Sequence, residues 1–250
     1  MEQEESKSSF YNDLLSPSVK QIGEELGLFT HKALLRCKWK KARMNAEKNI
    51  KETLHSTAEK VNRIPETKRC EPEPYVVIPI IQQITYCYDS QELREMYANL
   101  LASSMNTDKK WKVHPSYIDI IKQLSPDEAK VLFELKKHLI TYFPLLDLVG
   151  ESKMSGGLRT IARNLINTNL YEVCENPNNM SFYIDNLVRL QIICISETKR
   201  VDSENWYKAL EQSSFAQKLC KEVTPDEKIK FERKSFYMSD YGKAFIDCCI

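Results

Sequence analysis

The sequence has little glycine, with six residues in 250. Glycine gives phosphate-binding loops their backbone freedom, and the chain contains no P-loop, dinucleotide fingerprint or nucleophile elbow. None of its four histidines stands beside a patterned serine, cysteine or aspartate (His31, His55, His114, His138). We therefore expect a protein that is not an enzyme and has no cofactor, and keep an enzyme with an unfamiliar site as a third alternative.

The eight cysteines include no Cys-x-x-Cys pair, and no cysteine and histidine have a zinc-finger spacing. This pattern predicts reduced thiols and no metal site. The first five residues are acidic rather than basic, unlike a signal peptide, and no apolar run approaches the ~18 residues of a membrane span. The sequence therefore predicts a cytoplasmic protein with no membrane span.

The formal net charge is only +1, so no global basic field indicates nucleic acid as the ligand. With 42% hydrophobic and 28% charged residues, the composition is that of an ordinary globular protein. Any electrostatic argument for a binding site must therefore be local.

Helix signals are densest between Asp89 and Ile140. A capping box at Asp89–Glu92 begins one helix, His114-Pro115 begins a second, and Ser125-Pro126-Asp127-Glu128 begins a third. His114 is interpreted as a cap of its helix, with a proton carrier or ligand as the alternative. Apolar residues recur at helical spacing after each start, which predicts an antiparallel helical core.

Three segments of this stretch also carry a family resemblance: Leu93–Met105, Val113–Tyr117 and Gln123–Ala129. In pattern and order they resemble the abortive infection alpha family of bacterial phage-defence proteins. The resemblance implies a role in defence against bacteriophage, and it brings no settled chemistry for particular residues.

The predicted fold is mainly α, with an N-terminal helical bundle containing a long helix and a winged-helix-like α+β module after it. Residues 1–15 are expected to be disordered or loosely docked, 16–112 to form the helical domain and 113–250 the module. Ser18–Arg63 is predicted as one long helix, or as two joined near Gly27–Thr30. A helical insertion is expected at about 199–228.

In the winged-helix interpretation, Leu124–Ile140 is the first helix and Met180–Gln191 the recognition-like helix. Ile193–Ile195 and Phe231–Met238 form the wing, and Ser239–Ile246 begins a closing helix of a kind common in such folds. Gln191 stands where these folds often carry glycine. Apolar residues in Leu158–Leu165 have helical spacing, which predicts a short helix there.

The best candidate binding residues lie in the basic run Lys32–Lys51, at Lys38, Trp39, Lys40, Lys41 and Arg43. An aromatic ring among cations can bind phosphates and stack on a base, although a solvated helix face has the same composition. Arg189 on the recognition-like helix and Arg233 and Lys234 on the wing complete the set.

Two functions follow as hypotheses. In the first, the protein is a sensor or interaction module in phage defence that binds a phage or host protein, or associates with itself through the N-terminal helix. In the second, it is a nucleic-acid-binding regulator that uses the basic helix at residues 32–51 and the wing. The first is favoured because the family resemblance supports it.

Overall fold

The structure is a computed structural model, and it describes residues 40–85, 90–138, 142–166, 168–198, 201 and 203–250. Side chains are described from Ala46 onward, except that of Thr168. The predicted N-terminal segment 1–15 and the first half of the predicted long helix lie outside these residues. The chain divides into two compact units after Pro126, whereas the sequence pattern placed the boundary after residue 112. Unit 1 also includes Phe245–Ile250.

Unit 1 is helical in its described part. Its helices are α1 (Lys40–Asn62), α2 (Pro74–Ile84), α3 (Gln91–Ser104) and α4 (Ser116–Lys122). Ser90 caps α3, since its side chain accepts a hydrogen bond from the Leu93 amide at 3.3 Å. His114 has the predicted capping role at α4, where its Nδ1 atom accepts the Ser116 amide at 3.2 Å. Asp89, the other predicted cap, is outside the described residues.

Unit 2 combines short helices with one sheet. In chain order its elements are α5 (Pro126–Lys136), β1 (Phe143–Ser152), β2 (Leu158–Leu165), α6 (Thr168–Glu172), α7 (Met180–Arg189), β3 (Ile193–Ser196), α8 (Glu204–Glu211), α9 (Ser214–Cys220), β4 (Glu227–Met238) and α10 (Asp240–Cys249). The last of these helices continues into unit 1. The described chain is therefore mostly helical with a mixed α+β architecture.

The sheet has four antiparallel strands in the order β2-β1-β4-β3. The β1–β4 ladder is unbroken from Phe143↔Phe236 to Ser152↔Glu227. The predicted pairing of Ile193–Ile195 with the end of Phe231–Met238 is confirmed, with Ile193 opposite Met238. Leu146 and Leu148 on β1 form one apolar cluster with Tyr207, Leu210 and Ala216 from α8 and α9. This cluster covers one face of the sheet.

The predicted helix at Leu158–Leu165 is wrong, because this segment is strand β2. Leu146 pairs with Leu165, and Val149 pairs with Thr160. The chain thus advances three residues along β1 and five residues along the paired part of β2. Two bulges therefore add residues to β2 and break the two-residue alternation of a strand. Neighbours Ile161 and Ala162 both pack against the apolar cluster, and this placement accounts for the helix-like spacing.

Candidate binding groove beside strand β2

The residues predicted for binding in the basic run are only partly described. Lys38 and Trp39 lie outside the described residues. Lys40, Lys41 and Arg43 have their backbones in the first turns of α1, and their side chains are not described. The nucleic-acid interpretation of this run stays a prediction.

Arg233 and Lys234 are neighbours on β4 and face opposite sides of the sheet, as consecutive strand residues do. Arg233 donates to Glu211 at 2.8 Å and Glu204 at 2.7 Å, and these bonds raise the pKa of its guanidinium. Its guanidinium carbon also lies 5.3 Å from the centre of the Tyr207 ring. Ion pairing holds this cation against α8, on one side of β4.

Lys234 donates to the buried Asp147 carboxylate at 2.8 Å. Burial has the largest single effect on the pKa of Lys234 and lowers it, but the bond to Asp147 and the charges of nearby carboxylates together raise that pKa. Arg189, on α7, donates to the Asn186 side chain at 3.0 and 2.7 Å. The structure therefore does not bring these three predicted residues into one cationic patch.

A second aromatic residue among lysines lies in the connection before α4. Trp111 is 75% exposed, and the ammonium of Lys112 lies 5.2 Å from its ring centre. Lys112 pairs with Asp247 at 2.7 Å and Lys110 with Glu73 at 2.7 Å. Acidic partners therefore offset these cations, which weakens this loop as a phosphate-binding surface.

The groove that stands out lies beside β2, and the bulge of β2 between Ala162 and Leu165 shapes it. Asn164 has a φ of 57°, in the left-handed region that asparagine tolerates better than most residues. Its backbone amide donates to Asp147 Oδ1 at 3.0 Å, while the other Asp147 oxygen binds Lys234. The side chain of Asp147 thus supplies the hydrogen bond that the irregular ladder lacks. Lys234, predicted as a ligand contact, supports the bulge through its bond to Asp147.

The Asn164 side chain fixes one wall of the groove. Its amide donates to Asp185 Oδ1 at 2.9 Å and lies 3.4 Å from the carbonyl and the hydroxyl oxygen of Ser181. These contacts tie β2 to the first half of α7. Met180, Pro177 and Asn178 continue this wall.

Aromatic rings form the opposite side. Tyr171 of α6 and Phe215 of α9 pack with ring centres 5.0 Å apart at an angle of 43°. Burial raises the pKa of Tyr171 to about 12, and a hydrogen bond from the Ile166 backbone partly opposes this effect. The phenol therefore stays protonated at neutral pH and can donate a hydrogen bond. Leu219 extends the apolar wall.

Between these walls is a groove of about 530 Å³, with β2 residues from Thr160 to Leu165 along one side. This is the size of a ligand site, and the lining is mostly apolar with a few polar groups, as in many binding sites. Arg163 is the charged residue of the lining, and no carboxylate is among the described residues that form it. The groove suits recognition of an apolar group.

In the part of the chain that is described, no group of three histidine, cysteine or acidic side chains could hold a metal ion. Burial raises the pKa of Cys174 and that of Cys248 to about 11, so both thiols are protonated and poor nucleophiles at neutral pH. No helix in the described ranges is long and apolar enough to cross a membrane.

Sequence reasoning missed the groove, although one signal for its strand was present. Ser155-Gly156-Gly157 has the composition of a turn, and Gly156 does adopt a φ of 69° there. A glycine turn between two apolar segments is a hairpin signal. Applied to Leu158–Leu165, it would have favoured a strand over a helix.

Comparison with known proteins gives one family. Residues 45–249 match the family model described as abortive infection alpha. No curated protein matches. Among solved structures, the chain is similar to an uncharacterized protein from the hydrocarbon-degrading marine bacterium Alcanivorax borkumensis SK2. That similarity has 20% identity and a TM-score of 0.36 and covers 56% of this chain and 92% of the other, so it supports no inference about fold or function.

Proposed function

The chain belongs to the abortive infection alpha family, and on that premise we propose that it acts in bacterial defence against bacteriophage as a non-enzymatic sensor or protein-interaction module. The observation that carries this proposal is the family match over residues 45–249. In this proposal the protein binds a phage or host protein in the cytoplasm, and binding changes its conformation or assembly.

The groove beside β2 supports recognition as the mode of action. Its lining is mostly apolar, and its aromatic side contains the half-buried Tyr171 phenol, which stays protonated at neutral pH. An enzyme would need ionisable groups that converge on a substrate. In the described groove the one ionised lining residue is Arg163, whose nearest acid is Asp185 at 3.3 Å.

Within this proposal, residues 113–250 form a winged-helix-like module with a helical insertion at about 199–228, and residues 16–112 form a helical bundle. The element order α5, α7, β3, β4 and α10 supports the module, and α8 and α9 lie in the insertion. Winged helices bind proteins as well as DNA. Since Arg233 and Lys234 are held by acidic partners, the wing offers little for nucleic acid and protein recognition is favoured.

A plaque assay tests the proposed function. The gene is expressed in its native context against a broad phage panel, beside a control whose start codon is removed. Plating efficiency is expected to fall for at least one phage, with infected cells dying before progeny are released. Equal plating with and without the intact gene across the panel would contradict the proposal.

A further inference from the structure

We propose that the groove beside β2 binds one extended peptide segment of a partner protein, which adds to the edge of β2 as a fifth strand. The segment carries an apolar side chain that fills the groove and an acidic side chain that reaches Arg163. The inference rests on the proposed function, since it names the partner chemistry of a recognition module.

The direction of the backbone groups on β2 is the first argument. Ser152 N–H donates to the Gly157 carbonyl at 2.8 Å, and Lys153 N–H donates to the Asp226 carbonyl at 2.9 Å. Even-numbered residues of β1 therefore bond to β2, and odd-numbered residues bond to β4. Opposite Glu151 and Val149, the N–H and C=O groups of Leu158 and Thr160 point away from the sheet. An extended peptide is the ligand that can bond to both residues.

Exposure agrees with this geometry. Leu158 is 54% exposed and Thr160 is also exposed, so a second chain can approach the edge. In strand addition, backbone bonds supply affinity and side-chain pockets supply specificity. The groove begins at Thr160 and continues beside the bulges, where regular pairing ends. A peptide that pairs at Leu158 and Thr160 thus places its next side chains in the groove.

Charge supplies the second argument. Arg163 lies in the lining, and its guanidinium is 3.3 Å from Asp185, with side chains 56% and 46% exposed. Such a surface pair contributes little to stability, so an incoming carboxylate can replace Asp185 at small cost. Arg163 is the charged residue of the described groove lining, and the lining therefore favours an acidic side chain over a basic one.

A second copy of this chain fits the edge less well. Pairing of β2 with β2 needs a regular ladder, and the first bulge follows directly after Thr160. Only Leu158–Thr160 remains for symmetric pairing, which is short even for an edge strand. A peptide can use the short ladder together with the groove beside it.

The test uses the full chain and a library of random short peptides displayed on messenger RNA. Peptides that are enriched on the wild-type chain are synthesised, and their affinity is measured by fluorescence anisotropy. We expect enriched sequences with alternating apolar positions and an acidic residue. Binding should weaken about three- to tenfold in Arg163→Gln, because the carboxylate loses its partner.

The decisive comparison is made at one position. Thr160→Pro removes the backbone N–H that points away from the sheet, and an edge strand tolerates this loss. Thr160→Val keeps both the N–H and the branched side-chain shape. We expect at least about a tenfold loss of peptide affinity for Thr160→Pro and less than about a twofold change for Thr160→Val. Circular dichroism and thermal unfolding establish that both variants are folded. If Thr160→Pro does not fold, the peptide is changed instead of the protein, by N-methylation of every second peptide amide. Methylation should abolish binding only when it is placed on the set of amides that faces β2.

Three results would overturn the inference. They are a library without enriched peptides, equal affinity for the proline and valine variants, and a concentration-dependent dimer that Thr160→Pro abolishes. The last result would assign the edge to a second copy. These assays measure binding alone, so a failure in them leaves the proposed function standing as long as the wild-type gene protects against phage.

Discussion

The two edges of the sheet in unit 2 differ in the regularity of their strand pairing and in the contacts that hold them. At one edge, β3 pairs with β4 in an unbroken register from Ile193↔Met238 to Ser196↔Ser235. At the other edge, β2 pairs with β1 through two bulges, and a buried aspartate side chain replaces one ladder bond. The regular edge is held by backbone pairing, whereas the bulged edge also depends on the side chains of Asp147 and Asn164.

The start of α10 is bonded to the connection that leads into β3. We call the β3 side of the sheet the closed edge and the β2 side the open edge. The Ser239 backbone amide donates to the Ile192 carbonyl at 3.1 Å, and the Ser239 hydroxyl donates to the Gln191 carbonyl. The same hydroxyl accepts the Gly242 amide at 2.8 Å. These contacts explain the Ser-x-x-Gly pattern in the closing helix: serine caps the turn, and glycine lets the helix approach the backbone.

The largest expected effect is at this closed edge. A Cβ atom at Gly242 would lie 2.0 Å from the Ile192 carbonyl oxygen and 2.8 Å from its carbon. Because backbone has to move to relieve this clash, Gly242→Val should lower the free energy of unfolding by about 3 kcal/mol or more. Lys243→Val is the control, since it adds a β-branched residue to the same turn at an exposed position. Urea unfolding should show that the control loses less than about 1 kcal/mol of unfolding free energy. Equal losses in the two variants would contradict the predicted clash at Gly242.

At the open edge the next largest effect is expected for Asp147→Ala. Removal of this carboxylate leaves the buried Asn164 amide without its acceptor and takes the nearer partner from Lys234, so we expect a loss of about 2 kcal/mol. Asp185→Ala removes a half-exposed carboxylate from the same asparagine and should cost less than about 1 kcal/mol. Chemical unfolding of both variants measures the difference. A smaller loss for Asp147→Ala than for Asp185→Ala would show that the bulge does not depend on the buried bond.

The same contrast explains which elements could be predicted from the sequence. Caps and apolar spacing are local signals, so α3, α4 and α5 were predicted close to their observed positions. The β3–β4 pair was also predicted, because short apolar strands lie on both sides of a polar insertion. Strand β2 was not, because its two bulges break the two-residue alternation that identifies a strand.

The groove could not be predicted for a related reason. Its lining comes from β2, α6, the residues around the start of α7, and α9, four segments that only the folded sheet brings together. The sequence does show cations at Arg233 and Lys234, but it does not show that Glu204, Glu211 and Asp147 neutralise them. Charge in the sequence therefore does not reveal how these cations are paired in the fold.

A smaller effect of opposite sign is expected at Gln191. Its φ is 58°, as the comparison with folds that carry glycine there suggested. Gln191→Gly should relieve this left-handed strain and raise the free energy of unfolding by about 0.5–1 kcal/mol. The control at the open edge is Asn164→Gly, with a φ of 57°. This variant loses the hydrogen bond from the Asn164 side chain to Asp185, so we expect no gain in its free energy of unfolding. Thermal unfolding compares the two, and a gain at both sites would mean that the Asn164 side chain contributes nothing.

The smallest effect concerns acid stability at the open end of the sheet. Glu227 accepts two bonds from Arg159, at 2.9 and 2.7 Å, across the position of Gly150, where a Cβ atom would lie 2.8 Å from the carboxylate. The bond from Arg159, followed by one from the Thr224 backbone, lowers the pKa of Glu227 from 4.5 to about 2. Since the folded state has the lower pKa, the stabilisation is present above about pH 4.5 and is lost as the pH falls toward about 2.

Glu227→Gln should therefore flatten the decline in unfolding free energy over that pH range, and Arg159→Gln should flatten it less, because the bonds from Thr224 to Glu227 remain. The double variant should be no flatter than Glu227→Gln alone, because the Glu227 carboxylate is the group that titrates. Unfolding in urea at a series of pH values measures these slopes. Additive slopes would mean that each side chain acts through a different partner, and the hairpin end would then owe its acid response to contacts other than the one across Gly150.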